Sequence, residues 1–254
     1  MNEKSGISAK APAYGQILFG ASAVLFGAIC LMWHDADTWQ NLTQIWRLPL
    51  GSFIGAFLMI AQIAGGIGIA YRRTARPASI VLGIVYMLFS LACIPPILAA
   101  PANFGQYDAF FEQFCFLSAV LAVYAATGLN SQRPAAIGRW ARLGLGLSTV
   151  SFTVAQIYYL RETADLVPKW IPPNQMFWAV LTTVAFAAAA IAILINRHAR
   201  LAMFLMTLMV GMFGVLVWIP LLVAHPESHG SWSEFALTAL IAGASWTVAD
   251  ATVL

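Results

Sequence analysis

The sequence predicts an all-α membrane protein of about eight transmembrane helices, laid out as two parallel-repeat four-helix bundles. Three observations predict it. The chain has 254 residues, of which 61% are hydrophobic and 9% charged, against about a quarter charged in an ordinary soluble domain. That leaves too few polar groups to cover a water-facing surface. Eight stretches free of Asp, Glu, Lys and Arg approach or exceed the roughly 20 residues a helix needs to cross about 30 Å of hydrocarbon. Landmark residues of the first half then recur in the second at a nearly constant offset.

Residues 1–14 form a polar tail carrying Lys4 and Lys10. A tail of this kind before an apolar run imitates a secretory signal. Here the run continues uncharged to Trp33 and further spans follow, so an uncleaved first span is expected. The candidate spans are 11–34, 48–71, 77–107, 113–132, 143–160, 170–196, 201–226 and 235–249. The last is short, but the uncharged Ala251 to Leu254 after Asp250 extend it. Residues 15–128 make a first four-helix repeat, 129–138 a cytoplasmic linker and 139–254 a second repeat.

Eight crossings bring both termini to one side. Lys4, Lys10, Arg72, Arg73, Arg76, Arg133, Arg139, Arg142, Arg197 and Arg200 fall there, and Arg47, Arg161 and Lys169 on the other. Short loops rich in Lys and Arg stay inside, so both termini are expected in the cytoplasm of a cell with an inner or plasma membrane. Asp35, Asp37, Asp108, Glu112, Glu162, Asp165, Glu227 and Glu234 fall outside. Trp33, Trp39, Trp46, Trp170, Trp218 and Trp232 gather at the outer boundary, as an aromatic belt does. The net charge of +3 is too small and too scattered to point to nucleic acid. The lipid bilayer is the expected partner.

The repeat rests on residues hard to match by chance in apolar helices. Trp46 pairs with Trp170, Pro49 with Pro173, Phe53 with Phe177, and Arg73-x-Ala75-Arg76 with Arg197-x-Ala199-Arg200. One inserted residue later, Ile94-Pro95 pairs with Ile219-Pro220 and Pro101 with Pro226. Four spans per unit is an even number, so both units enter with the same orientation, a parallel repeat. Trp46, Trp170, Pro95 and Pro220 are thus equivalent outer-face positions. Proline near the outer end of each third span frees a carbonyl and bends the helix. Paired interruptions of this kind mark binding sites in some membrane proteins and plain bent ends in others.

The second span of the first unit reads Gln62-Ile63-Ala64-Gly65-Gly66, with the turn Arg72-Arg73-Thr74-Ala75-Arg76 after it. In this the chain resembles the DoxX-like integral membrane proteins, whose four-helix unit carries Glu-x-x-Gly-Gly on its second helix before a Thr/Arg turn. The resemblance covers nearly the whole chain outside the first 14 residues, more loosely in the second unit. It implies a tandem duplication of that unit and association with quinone-linked oxidoreductases. Gln62 stands where the family has its intramembrane Glu, and Phe186 stands there in the second unit. If that carboxylate handles protons in relatives, this chain has lost it.

Side chains that bear chemistry are few. The fifth span is unusually polar, and a pocket lined by Gln156, Tyr158 and Tyr159 would offer a quinone headgroup its hydrogen bonds. Helix packing explains the same residues. With Gln62 these are the candidate cofactor-binding positions. His225, Glu227, His229 and His34 at the outer face have the ligand types of a zinc, copper or non-haem iron site, although Pro226 breaks the i,i+4 helical spacing and a boundary loop is polar anyway. Glu112 and Glu234 sit near the starts of spans four and eight, either pointing inward as proton or cation ligands or hydrated at headgroup level. No histidine lies mid-span for haem. Cys30, Cys93 and Cys115 are far apart in sequence, without a C-x-x-C pair, and read as small apolar side chains. No phosphate loop, HExxH or ordered catalytic triad occurs.

The expected function is therefore a non-catalytic membrane subunit that holds a quinone or docks an oxidoreductase partner. A small permease for a neutral or hydrophobic solute and an assembly or structural protein are the alternatives.

Overall fold

The computed structural model describes residues 13–33, 40–128 and 132–252, and every described element is helical. Long helices alternate with short ones: α1 (Tyr14–Trp33), α2 (Leu42–Trp46), α3 (Gly51–Ile69), α4 (Ala75–Ala92), α5 (Ile94–Ala99) and α6 (Phe104–Ala126). Then come α7 (Gln132–Tyr158), α8 (Leu160–Leu166), α9 (Gln175–Leu194), α10 (Ala199–Phe213), a π segment (Gly214–Trp218), α11 (Ile219–Ala224) and α12 (His229–Ala251). Among the described residues six helical stretches are long and apolar enough to cross a membrane: α1, α3, α4 with α5, α6, α9, and α10 through α11. A seventh is added if α7 and α8, bent by 89° against each other, form one span. The chain is a multi-pass membrane protein.

Both ends of the described chain meet at one end of the bundle, where the Gly15 N–H donates to Asp250 Oδ2 at 3.4 Å. This will be called the terminal end. α1 packs on α3, α3 on α4 and α4 on α6; α7 packs on α9, α9 on α10 and α10 on α12. The two sets join through α1 against α12, α6 against α7, and α6 against α12.

Local chemistry fixes where the helices start and stop. At the end opposite the termini, Asn103 Oδ1 accepts from Gly105 N (3.0 Å), Asn174 Oδ1 from Phe177 N (2.8 Å) and Ser228 Oγ from Ser231 N (3.3 Å). Each satisfies one of the N–H groups left over at a helix start. At the terminal end the Gln16 amide donates to the Ile69 carbonyl at the end of α3. Arg142 donates likewise to the Ile193 carbonyl, and to Leu194 O at 3.2 Å, at the end of α9. Proline explains the breaks beyond α4 and α10: Pro95 and Pro96 open α5 and Pro220 opens α11, and neither residue type has an N–H to continue the ladder. A π turn holds one residue more than an α turn. Gly214–Trp218 lies in the interval where the sequence offset between the halves grows by one.

The core is aromatic in the first half. Tyr86 is fully buried, with its ring 5.3 Å from Phe116, 6.1 Å from Phe19 and 6.3 Å from Phe89. Phe152 and Phe186 face each other at 6.1 Å in the second. Outward faces of α3 and α10 carry Phe53, Phe57, Ile60, Leu201, Leu205 and Leu208, all exposed, as lipid contact requires. α7 starts earlier than the sequence pattern indicates, so residues 132–138, read as linker, belong to its first turns.

Candidate functional site

The structure distributes the sequence-selected residues among several places. Gln62 is fully buried in α3 and its Nε2 donates to the Ala23 carbonyl at 3.1 Å. Gln156 points from α7 to α9, where its Oε1 accepts from Thr182 (3.2 Å) and Thr183 (3.0 Å). Tyr158, the last residue of α7, is exposed and stacks on Phe104 at 5.2 Å. Tyr159 begins the bend into α8 and is also exposed. Gln156 is therefore held by threonine hydroxyls, as helix packing predicts, and Tyr158 turns towards the head of α6.

At the other candidate cluster, His225 Nδ1 lies 3.6 Å from Glu227 Oε1, and both side chains are exposed. His225 ends α11 and His229 begins α12, so no single helix presents the pair. His229 stacks on Trp33 at 5.1 Å. Among the described residues no group of three or more His, Cys, Asp or Glu side chains is placed to hold a metal ion. His34 lies outside the described residues. Trp170, Pro95 and Pro220 are exposed.

Trp46 is different. α2 lies across the end of the bundle opposite the termini with Leu42 and Ile45 buried beneath it, and Trp46 folds back onto α3. Its indole nitrogen presses on Gly55, where even a methyl group would collide. The result is a cavity of about 180 Å³ lined by Cys30, Leu42, Trp46, Ser52, Gly55 and Met59, among others. Trp46 Nε1 is buried there with no hydrogen-bond partner. A buried donor left in this condition costs about 1–3 kcal/mol.

A buried polar layer adjoins this cavity. Gln40 is fully buried, and its Nε2 lies 3.2 Å from Cys30 Sγ and 3.5 Å from Met59 Sδ, both in the cavity wall. Its Oε1 has no hydrogen-bond partner. Asn41 adopts a left-handed backbone (φ 57°), which Asn tolerates better than most residues. Its Nδ2 lies 2.9 Å from Cys93 Sγ. Trp46 was visible in the sequence as a repeat landmark. Gln40 and Asn41 carry no motif in the sequence, although a carboxamide pair directly before a helix is a readable signal, and Cys30 stands out there only as a small apolar side chain. Chemically, the cavity offers apolar walls, one unused N–H donor and a neighbouring unused carbonyl acceptor. It is ring-sized, without a charged residue in its lining. A second surface groove runs along Asn174, Met176, Phe177, Val180, Leu181 and Val184 on α9 alone and is almost wholly apolar.

No family model, curated protein or solved structure matches the chain.

Proposed function

We propose that this protein is a non-catalytic membrane subunit of the DoxX-like kind that holds a quinone headgroup in the Trp46 cavity. The single observation that carries the reading is the buried, unpartnered Trp46 Nε1 in the wall of a ring-sized apolar cavity. A quinone carbonyl accepts one hydrogen bond and buries an apolar ring, and its isoprenoid tail belongs in lipid. An oxidoreductase partner would deliver or withdraw the electrons, since the chain has no redox centre in its sequence motifs.

The same reading takes the chain as a tandem of two four-helix units with eight crossings and cytoplasmic termini. Its supports are matched contacts. A side chain of the preceding long helix closes the end of α3 and of α9 alike, Gln16 on the Ile69 carbonyl and Arg142 on the Ile193 carbonyl. Tyr107 Oη donates to Pro101 O at 3.2 Å, and Trp232 Nε1 donates to Pro226 O at 2.9 Å. α1 packs on α12 and α7 on α6, the pair of contacts that a twofold relation between the halves would require.

The test is titration of the full chain in nanodiscs with a short-tailed quinone, followed by quenching of tryptophan emission. Saturable quenching is expected. Loss of one hydrogen bond in Trp46→Phe should weaken it by about tenfold, from roughly 1–1.5 kcal/mol. Gly55→Leu should abolish it, because the leucine side chain takes the place of the Trp46 indole and fills the cavity. Quenching that survives both substitutions unchanged would send the quinone elsewhere and remove this reading.

A further inference from the structure

Near the end opposite the termini, α6 carries Asp108 and Glu112 one helical turn apart, and α12, which packs on α6, carries Glu234 in its second turn. Asp108 and Glu234 both act electrostatically on Glu112. Glu112 sits in the third turn of α6, about 12 Å along its axis at 1.5 Å per residue. It is 8% exposed, and its Oε2 is buried with no hydrogen-bond partner. Asp108 is only half-buried and accepts a hydrogen bond from Ser151 Oγ of α7 at 3.0 Å.

Among the described residues the other titratable groups around Glu112 bring it no positive charge. Cys93 beyond α4 and Cys115 on α6 are buried thiols within its electrostatic reach. Tyr86 of α4 points into the aromatic core beside Phe116. Arg142 of α7 is committed to the Ile193 carbonyl at the terminal end. His229, at the head of α12, is stacked on Trp33. Among the described residues no Lys, Arg or His forms an ion pair with Glu112. The three carboxyl groups do not converge on one point closely enough to ligate a single metal ion.

A bare carboxylate in such a place is costly, because an unpaired buried charge loses its hydration without compensation. A second and third acid of the same sign add to that cost. A proton is the cation small enough to restore neutrality at Oε2. Inside membranes, buried ionisable groups of this kind mark proton paths.

We propose that Glu112, Asp108 and Glu234 form a proton-binding site at the α6–α12 junction. Glu112 holds the proton in the buried position, and half-buried Asp108 and Glu234 exchange it with water at that end of the bundle. The site stands independently of the quinone reading, since it uses other residues and its test involves no quinone.

The experiment is labelling of the full chain in nanodiscs with an apolar carbodiimide, which adds to protonated carboxyl groups. Adducts are located by peptide mass spectrometry from mildly acidic to mildly alkaline buffer. The expected result is an adduct on Glu112, stronger than on the loop acids Glu162 and Asp165, fading as the buffer becomes alkaline, and absent in Glu112→Gln. Glu112→Gln should also match the parent in thermal unfolding, because a neutral isostere replaces a neutral acid. An unlabelled Glu112, a pH-independent adduct, or a Gln variant that fails to fold would each overturn the proposal. The last would mean that Glu112 carries a needed negative charge.

Discussion

The closest backbone approach between α1 and α3 gives the most direct test of the packing. Gly20 and Gly66 face each other: a Cβ built on Gly20 stands 2.5 Å from the Gly66 carbonyl oxygen, and one on Gly66 stands 2.6 Å from the Gly20 oxygen. Ordinary contacts begin near 3.4 Å, so either alanine must push the two helices apart by nearly 1 Å. The nearest atom in the way on each side is a backbone oxygen, which cannot swing aside, with Ile69 and Val24 side chains close behind it. Overpacking of this kind costs about 1–3 kcal/mol, and small residues at membrane helix crossings are there to permit such approach. Gly20→Ala and Gly66→Ala should therefore each destabilise by about 2 kcal/mol. Because both widen the same crossing, the double variant should cost clearly less than the sum of the two.

Glycines elsewhere supply the control. Nothing lies within 4 Å of a Cβ built on Gly211 of α10. Alanine there only improves helix propensity, and Gly211→Ala should be neutral or stabilising by up to about 1 kcal/mol. Thermal unfolding in one detergent, read by a thiol-reactive dye on buried Cys30, Cys93 and Cys115, ranks all four variants. Equal midpoints for Gly20→Ala and Gly211→Ala would refute the close α1–α3 crossing.

Two further perturbations use buried polar groups. Gln62→Glu would face the Ala23 carbonyl with a carboxylate instead of a donor. It should cost about 2–4 kcal/mol at neutral pH, whereas Gln62→Met should cost about 1 kcal/mol, as read by denaturation midpoint; a Glu variant as stable as the parent would contradict the dry surroundings of Gln62. Arg142→Ala leaves the last carbonyls of α9 without their donor and should cost about 1–3 kcal/mol, with Arg142→Lys partly restoring the midpoint in the same unfolding measurement.

The sequence made some of this legible and hid the rest for physical reasons. Uncharged runs locate the long helices well, because hydrocarbon excludes charge along the whole crossing. The prolines at 95 and 220 mark real breaks. Rotation about each helix axis is the missing information. In water an amphipathic stripe tells which face is buried; in lipid both faces are apolar, so α1, α3 and α9 give no such stripe. That is why the burial of Glu112 could not be read: its place near the edge of its span favoured the hydrated alternative, whereas the structure buries it. α2 and α8 escaped because five and seven residues are too few to establish a period. The Trp46 cavity was half legible: the tryptophan stands out, but the glycine beneath it is one of 19 and nothing in its neighbours distinguishes it.

α12 carries this reasoning to the crossing count. Its 23 residues would span about 34 Å as a helix, long enough to cross, yet composition keeps it off the set of apolar spans. The reason lies in its surroundings. α1, α6 and α10 enclose it, and Thr238, Ser245 and Thr247 are buried along it. Ser245 Oγ donates to Met203 O at 3.0 Å, Thr247 Oγ1 to Gly243 O at 2.7 Å, and Thr207 Oγ1 of α10 to Ala242 O at 3.3 Å. Every one of these hydroxyls finds a carbonyl inside the protein, the condition under which polar atoms are tolerated at membrane depth. Hydropathy measures how well a segment suits lipid, and a helix walled in by its own protein is never asked to. A crossing count taken from apolarity is accordingly a lower bound wherever a helix is enclosed by its own protein, as α12 is by α1, α6 and α10.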